Sequence, residues 1–336
     1  MPHRLRRALQ AAIRQPIKQL MSPLVETSLF IFGLVALGYI AGATGYLKTE
    51  TGEALAEFAV GVALPLLLFR TITTADFHGA APWGLWSVYF ASVIIAWTTG
   101  HLITTRVFGR ESQTGVVGGV SSAFSNLVLL GIPFSLGVFG QKGFEQLSLL
   151  ISIHLPIMLM ASIVLFDLFG PRREEGMHPL RIVRDFLRKL VRNPLVIGIA
   201  GGFVWRLTGL EMPSLAGRFV EALAGIAAPL ALFSMGLSLR RFGISGNVRP
   251  AFALSLVKLF LMPAVALGLA WAVGLPPLTA QVTVAAAALP SGINSYLIAT
   301  QFGTGQALAS NQMTIATALA ALTTAFWLSV AQAVFV

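Results

Sequence analysis

The sequence predicts an all-α polytopic membrane protein whose ten transmembrane helices form two inverted five-helix repeats, with the fourth and ninth helices broken halfway. Composition is the first observation behind this: 56% of the 336 residues are hydrophobic and 11% charged, with a mean hydropathy of +0.80, whereas soluble domains carry roughly 25% charged residues. The second is a series of apolar runs about 20 residues long, enough to cross a hydrocarbon core about 30 Å thick. The third is an internal repeat at an offset of 164 residues. Gly38-Tyr39 with Thr44-Gly45 recurs as Gly202-Phe203 with Thr208-Gly209. Glu57, Gly61, Ala63, Pro65, Leu66, Leu68 and Phe69 recur as Glu221, Gly225, Ala227, Pro229, Leu230, Leu232 and Phe233. Five spans per repeat is an odd number, so the second repeat enters the membrane from the opposite face.

In chain order the spans are 24–46, 54–75, 83–105, 114–138 and 147–169, then 194–210, 215–239, 250–273, 279–302 and 308–334. Residues 1–22, with Arg4, Arg6, Arg7, Arg14 and Lys18, are a basic amphipathic segment ahead of the first repeat, 23–169. Residues 170–193 are a basic cytoplasmic loop before the second repeat, 194–336. In that loop Arg181, Arg184, Arg188 and Arg192 recur at helical spacing around Val183, Leu187, Leu190 and Val191, the pattern of a helix lying on anionic lipid. Pro65 and Pro229, in the second and seventh spans, read as kinks of packed helices.

Cytoplasmic loops hold the excess of Lys and Arg. Placing residues 171–193 inside leaves thirteen cations on that side, including Lys48, Arg106, Arg110, Arg240, Arg241 and Arg249, against Arg70, Lys142, Arg206 and Arg218 on the other. Both termini then lie outside the plasma membrane. The basic residues 1–22 oppose that placement, and a native start at Met21, directly before Ser22-Pro23, removes the conflict. Native-protein peptides from residues 1–20 in mass spectrometry exclude that start. A cleaved signal peptide fits poorly, because the span that follows is too long.

The chemistry concentrates at the two breaks, Ser125-Asn126 through Gly131-Ile132-Pro133 and Pro290-Ser291-Gly292-Ile293-Asn294-Ser295. A backbone group without a partner in hydrocarbon costs several kcal/mol, so a spanning helix is interrupted only where the freed groups line a cavity or meet a ligand. Pro133 and Pro290 remove an N–H and force the helix open. The half-helix N-terminus so exposed suits a carboxylate. Asn126 and Asn294 offer amide donors and acceptors, as substrate contacts or as caps of the broken helices, and Ser125, Ser291 and Ser295 add hydroxyls. The glycines Gly131 and Gly292 belong to the same candidate substrate site. The two asparagines align at an offset of 168, so the repeat is looser here.

Ionisable residues inside the spans are functional candidates by default. Lys258 either holds the breaks and balances an anion or snorkels to a structural partner. His154 either relays a proton or sits hydrogen-bonded in the interior. The repeat mates Glu57 and Glu221 lie eight residues before their prolines, about 12 Å along a helix and toward the membrane surfaces, which weakens them as coupling carboxylates.

Several classes are excluded. The cations fall in loops rather than on a patch interleaved with aromatics, against nucleic acid as a partner. Without cysteine there is no disulfide, thiolate metal site or cysteine nucleophile, and His3, His78, His101, His154 and His178 are scattered. No enzyme, metal or cofactor is expected. No lysine stands in a glycine-rich phosphate loop, which leaves a secondary carrier or uniporter, or else a channel or receptor for a small anion.

From Met21 onward the chain resembles the auxin efflux carriers and their bacterial relatives, which include malonate and malate permeases. The resemblance is most specific at Asn126 with Gly131-Ile132-Pro133, at Ala288-Leu289-Pro290-Ser291-Gly292-Ile293-Asn294, and at Lys258 with Pro263. It implies a fold similar to the bile-acid sodium symporters, with the two breaks crossing. It also implies a scaffold of spans 1, 2, 6 and 7, a mobile unit of spans 3–5 and 8–10, and elevator transport of an organic anion such as an auxin or a dicarboxylate. A homodimer, and a proton or, as in the bile-acid symporters, sodium as coupling ion, belong to the same implication.

Overall fold

Helices follow directly from the apolar runs, because in hydrocarbon each backbone N–H and C=O must be paired within its own segment. The computed structural model describes residues 23–74, 82–169, 184, 187, 188, 190–240, 244, 246 and 248–336. The basic segment 1–22 and most of the interfacial helix within 170–193 lie outside the described residues. The first described helices are α1 (Pro23–Ala43), α2 (Thr49–Phe58), α3 (Leu64–Thr74), α4 (Trp83–Leu102), α5 (Ser112–Ala123) and α6 (Ile132–Phe169). They are followed by α7 (Pro194–Thr208), α8 (Ser214–Gly225), α9 (Ala227–Leu239), α10 (Arg249–Leu256), α11 (Met262–Val273), α12 (Pro277–Ala288), α13 (Ile293–Gln301) and α14 (Gln306–Val334).

Among the described residues, seven helical stretches are long and apolar enough to cross a membrane, against the ten spans expected. The difference has a physical cause at each place. Leu127–Phe169 is continuous as one stretch of 43 residues, yet Gly140 inside it takes φ 64°, ψ −157°. Straight, the 38 residues of α6 would run about 57 Å at roughly 1.5 Å per residue, nearly twice a hydrocarbon core, so the chain must turn, and glycine is the residue that tolerates this backbone. Pro194–Thr208 and Pro277–Ala288 are apolar but short, the second because it stops at a break.

Four π-helical turns punctuate the helices, at Ala59–Ala63, Ile103–Val107, Leu127–Gly131 and Val257–Leu261. Three of them end two residues before a proline, namely Pro65, Pro133 and Pro263. Proline supplies no N–H and its ring crowds the carbonyl four residues back, and a widened turn absorbs both defects. Pro133, expected inside the first break, is therefore the second residue of the resumed helix α6, and the chain opens upstream of it.

Two groups of helices pack side by side. α1 lies on α9, α3 on α7 and α8, and α2 on α9. In the other group α4 lies on α5 and α11, and α12 on α4, α6, α11 and α14. Small residues let backbones meet, as expected where lipid tails remove the hydrophobic drive for association. A Cβ added at Gly38 would collide with the Phe233 carbonyl oxygen, and one at Gly202 would lie 2.9 Å from the Phe69 carbonyl oxygen. Thr44 and Thr208, each donating to the carbonyl three residues back, stand before Gly45 and Gly209, which take φ values of 74° and 64°.

Candidate functional site

Both interrupted segments depart from helix geometry at the expected places. After α5, Phe124 is extended (φ −81°, ψ 92°), and Asn126 (φ −77°, ψ 69°) opens the π-helical turn leading into α6. After α12, Leu289 is extended (φ −62°, ψ 146°), and Gly292 (φ −96°, ψ 178°) precedes α13. The two breaks satisfy each other. Ser125 and Ser291 form an isolated antiparallel bridge, the Asn126 N–H donating to the Pro290 carbonyl at 2.8 Å and the Gly292 N–H to the Phe124 carbonyl at 3.4 Å. Buried main-chain groups that leave a helix thus find partners in a two-strand crossing. Side-chain bulk is limited here: a Cβ at Gly292 would come 3.3 Å from Asn126 Cβ.

The side chains divide into those that hold the crossing and those left open. Asn126 Oδ1 accepts from the Leu129 N–H at 3.2 Å, a helix cap, while Nδ2 points at Met235 Sδ at 3.4 Å on α9. Ser295 donates to the Gly292 carbonyl at 2.9 Å, and Ser291 donates to Gln312 Oε1 on α14. Asn294 makes no side-chain hydrogen bond among the described residues, and the N–H groups of Ile293 and Asn294 have no main-chain acceptor there. Among the described residues, Ser125 Oγ and both ring nitrogens of His154 are buried without a hydrogen bond of full geometry, though Ser125 adjoins both His154 and Tyr89. The His154 ring sits edge-on to Phe124 (4.8 Å between centroids) and Tyr89 (5.5 Å).

These residues surround one cavity of about 310 Å³. Ser125, Asn126, Gly292 and Asn294 line it beside His154, Glu57 and Asn193, with Leu127, Ile199 and Leu297 among its apolar walls. The volume suits a small organic molecule. The structure thus brings together both asparagines, Ser125 and Gly292 of the breaks, His154 and Glu57. Gly131, Pro133, Pro290, Ser291 and Ser295 do not line the cavity, and Gly131 leaves the room in which Leu289 packs against it. Glu221 lies elsewhere, in an exposed ion pair with Arg70 at 2.5 Å.

Lys258 is completely buried, yet it does not line the cavity. Its Nζ donates to the Ala287 carbonyl at 2.6 Å and contacts Met262 Sδ at 3.2 Å. Three polar positions at or next to the breaks and the cavity escape the sequence. Asn193 is legible as the cap of α7, its Oδ1 accepting from the Leu195 N–H at 2.9 Å, but nothing in the sequence puts it at a cavity. Gln312 and Thr324 are neutral polar residues within an apolar span; Thr324 donates to the Ala288 carbonyl at 3.2 Å.

A profile of the family described as "Membrane transport protein" matches residues 23–328. An "Uncharacterized transporter" from Methanothermobacter thermautotrophicus is 26% identical over 308 residues, covering 90% of this chain and 96% of that protein. A "Putative malonate transporter" from Rhizobium meliloti is also 26% identical, over 316 residues, 90% of this chain and 94% of that protein. "Auxin efflux carrier component 1" of Arabidopsis thaliana is 34% identical over a shorter stretch of 122 residues, 34% of this chain and 20% of that protein. Two broken helices meeting over a cavity, in a chain matched by that profile over nearly its whole length, put this protein in the membrane transport protein family, that of the auxin efflux carriers.

Proposed function

We propose that this protein is a secondary carrier that moves a small organic anion, a carboxylate, across a bacterial cytoplasmic membrane by an elevator movement. The observation that carries this is the pairing of Ser125 with Ser291 beside a cavity onto which Asn294 and the unpaired N–H groups of Ile293 and Asn294 open. A half-helix N-terminus supplies partial positive charge, and a neutral amide supplies hydrogen bonds without the desolvation cost of an ion. Asn126, Asn294 and Ser125 are the substrate contacts in this account, with Gly131, Pro133, Pro290, Ser291, Gly292 and Ser295 shaping the floor. Malonate, and indole acetate as an auxin, are the first acids to try, since similar proteins are named for malonate and for auxin.

Ten passes result if Leu127–Phe169 counts as two, divided at Gly140, and the short α7 and α12–α13 are included. The inverted repeat is supported by contacts that exchange under the 164-residue offset: Gly38 with Phe233, and Gly202 with Phe69. The first packing group, α1–α3 with α7–α9, is the scaffold; the second, α4–α6 with α10–α14, carries the crossing and moves. A homodimer through the scaffold, cytoplasmic placement of residues 170–193 and no enzymatic activity belong to the same proposal.

Proteoliposome counterflow tests it. Saturable exchange of labelled malonate or indole acetate, needing about tenfold more substrate for half-saturation in Asn294→Ala, is the expected result. Ohmic currents without counterflow would replace the carrier with a channel. Imposed proton and sodium gradients identify the coupling ion.

A further inference from the structure

We infer that the carboxylate this protein carries also bears an ammonium group, so that the substrate is a zwitterionic amino acid with an apolar body, its carboxylate at the crossing and its ammonium at Glu57. This rests on the carboxylate-carrier reading above and narrows its substrate class from a simple anion to a zwitterion. The cavity carries formal charge of one sign only. Among the described residues that line it, Glu57 is the one carboxylate, and no lysine or arginine stands beside it. Arg192 precedes Asn193 in the chain but is exposed and does not line the cavity. A dianion there would meet a like charge without a cation to offset it. On α13 the polarity is reversed. The N–H groups of Ile293 and Asn294 have no main-chain acceptor among the described residues, and a half-helix N-terminus carries partial positive charge. The cavity walls between include Leu127, Ile199 and Leu297. A positive dipole, an apolar wall and a carboxylate in one cavity complement a molecule with both charges and an apolar body. Such a molecule is neutral overall, so the site needs no lysine or arginine to receive it.

The two repeats differ in what they offer this carboxylate. Glu221, the repeat mate of Glu57, pairs with Arg70 at 2.5 Å. The 164-residue offset carries Arg70 onto Ser234, so the exchanged pair would be Glu57 with Ser234. Ser234 is uncharged and buried, and its hydroxyl donates to the Ala231 carbonyl at 3.1 Å. The second repeat therefore supplies no cation where the first supplies Arg70. Among the described residues Glu57 makes no ion pair or hydrogen bond, and it is exposed, so a ligand can reach it. Where Glu221 has an arginine, Glu57 has the cavity, and an ammonium on the ligand supplies the missing charge. Simple acids bind through the same contacts at the crossing, and more weakly.

The purified full-length protein is titrated, by calorimetry and ligand-induced thermal shift, with two pairs of acids whose members differ only in the ammonium group: L-leucine against 4-methylpentanoate, and 6-aminohexanoate against hexanoate. In at least one pair the amino acid is expected to bind about threefold or more tightly than its partner, the worth of a charge-assisted contact partly open to solvent. The pair that shows the preference gives the spacing between the carboxylate and ammonium subsites. In Glu57→Gln that preference should disappear while the acids without an ammonium bind at least as well as to wild type, which a merely structural role of Glu57 would not produce. A smaller ratio in both pairs overturns the inference and leaves the carboxylate reading intact, as does a preference that survives in Glu57→Gln. Should Glu57→Gln not fold, the wild-type comparison decides alone. Failure of a folded wild-type protein to bind any of these four acids, malonate or indole acetate removes the carboxylate reading along with it.

Discussion

Gly38 of α1 touches the Phe233 carbonyl of α9, and 164 residues later Gly202 of α7 touches the Phe69 carbonyl of α3. Each contact is backbone against backbone, so no side-chain rotation can relieve an added methyl. Gly38→Ala and Gly202→Ala should each cost about 1–3 kcal/mol through overpacking, read as a lower melting temperature in detergent. Gly33→Ala is the control: its Cβ meets nothing within 4 Å on the same helix, and the variant should melt at or slightly above wild type.

The two asparagines should separate stability from binding. Asn126 caps the turn at Leu129 as well as facing the cavity, so Asn126→Ala should lose about 1 kcal/mol of stability together with substrate affinity. Among the described residues the Asn294 side chain has no hydrogen bond to lose, so Asn294→Ala should melt like wild type and bind malonate or indole acetate about tenfold more weakly, the worth of one or two hydrogen bonds. Calorimetric titration of both variants provides the check, and unchanged affinity in both removes the site.

Glu57 and Glu221 are sequence mates with different surroundings. Glu57→Gln should alter proteoliposome uptake, because the carboxylate lines the cavity. Glu221→Gln should leave uptake unchanged and cost well under about 1 kcal/mol, since its pairing with Arg70 is solvent-exposed. Equal effects in the two variants would contradict this difference.

His154 is packed against Phe90, Phe124 and Tyr89, and among the described residues its ring makes no hydrogen bond of full geometry. His154→Phe should keep the aromatic cluster and raise thermal stability slightly, because two unpaired buried nitrogens disappear. If His154 relays a proton, uptake in that variant loses its response to an imposed pH gradient; an unchanged response assigns the residue to packing.

Pro133 lies just after a π-helical turn rather than in the open segment. Pro133→Ala should allow Leu127–Gly131 to tighten into α-helix, leaving stability at or above wild type while uptake falls, because tightening rotates Asn126 away from the crossing. Slowed hydrogen exchange over residues 127–137 would report the tightening.

Much of this protein was determined by its sequence alone. Apolar length forces helices in a membrane, and Ser125-Asn126 and Pro290 to Asn294 interrupt them because these residues cannot continue an unpaired backbone through hydrocarbon. Asn126, Asn294 and Lys258 were legible because a polar group in an apolar run carries a cost that something must offset. Tertiary structure decided the rest. Only packing turned Glu57 toward the cavity and paired its mate Glu221 with Arg70, brought Asn193 to the cavity from the start of α7, and set Lys258 on the Ala287 carbonyl. The physical reason is that local spacing sets which backbone groups are freed, whereas their partners come from helices distant in the chain, through contacts that no local pattern encodes.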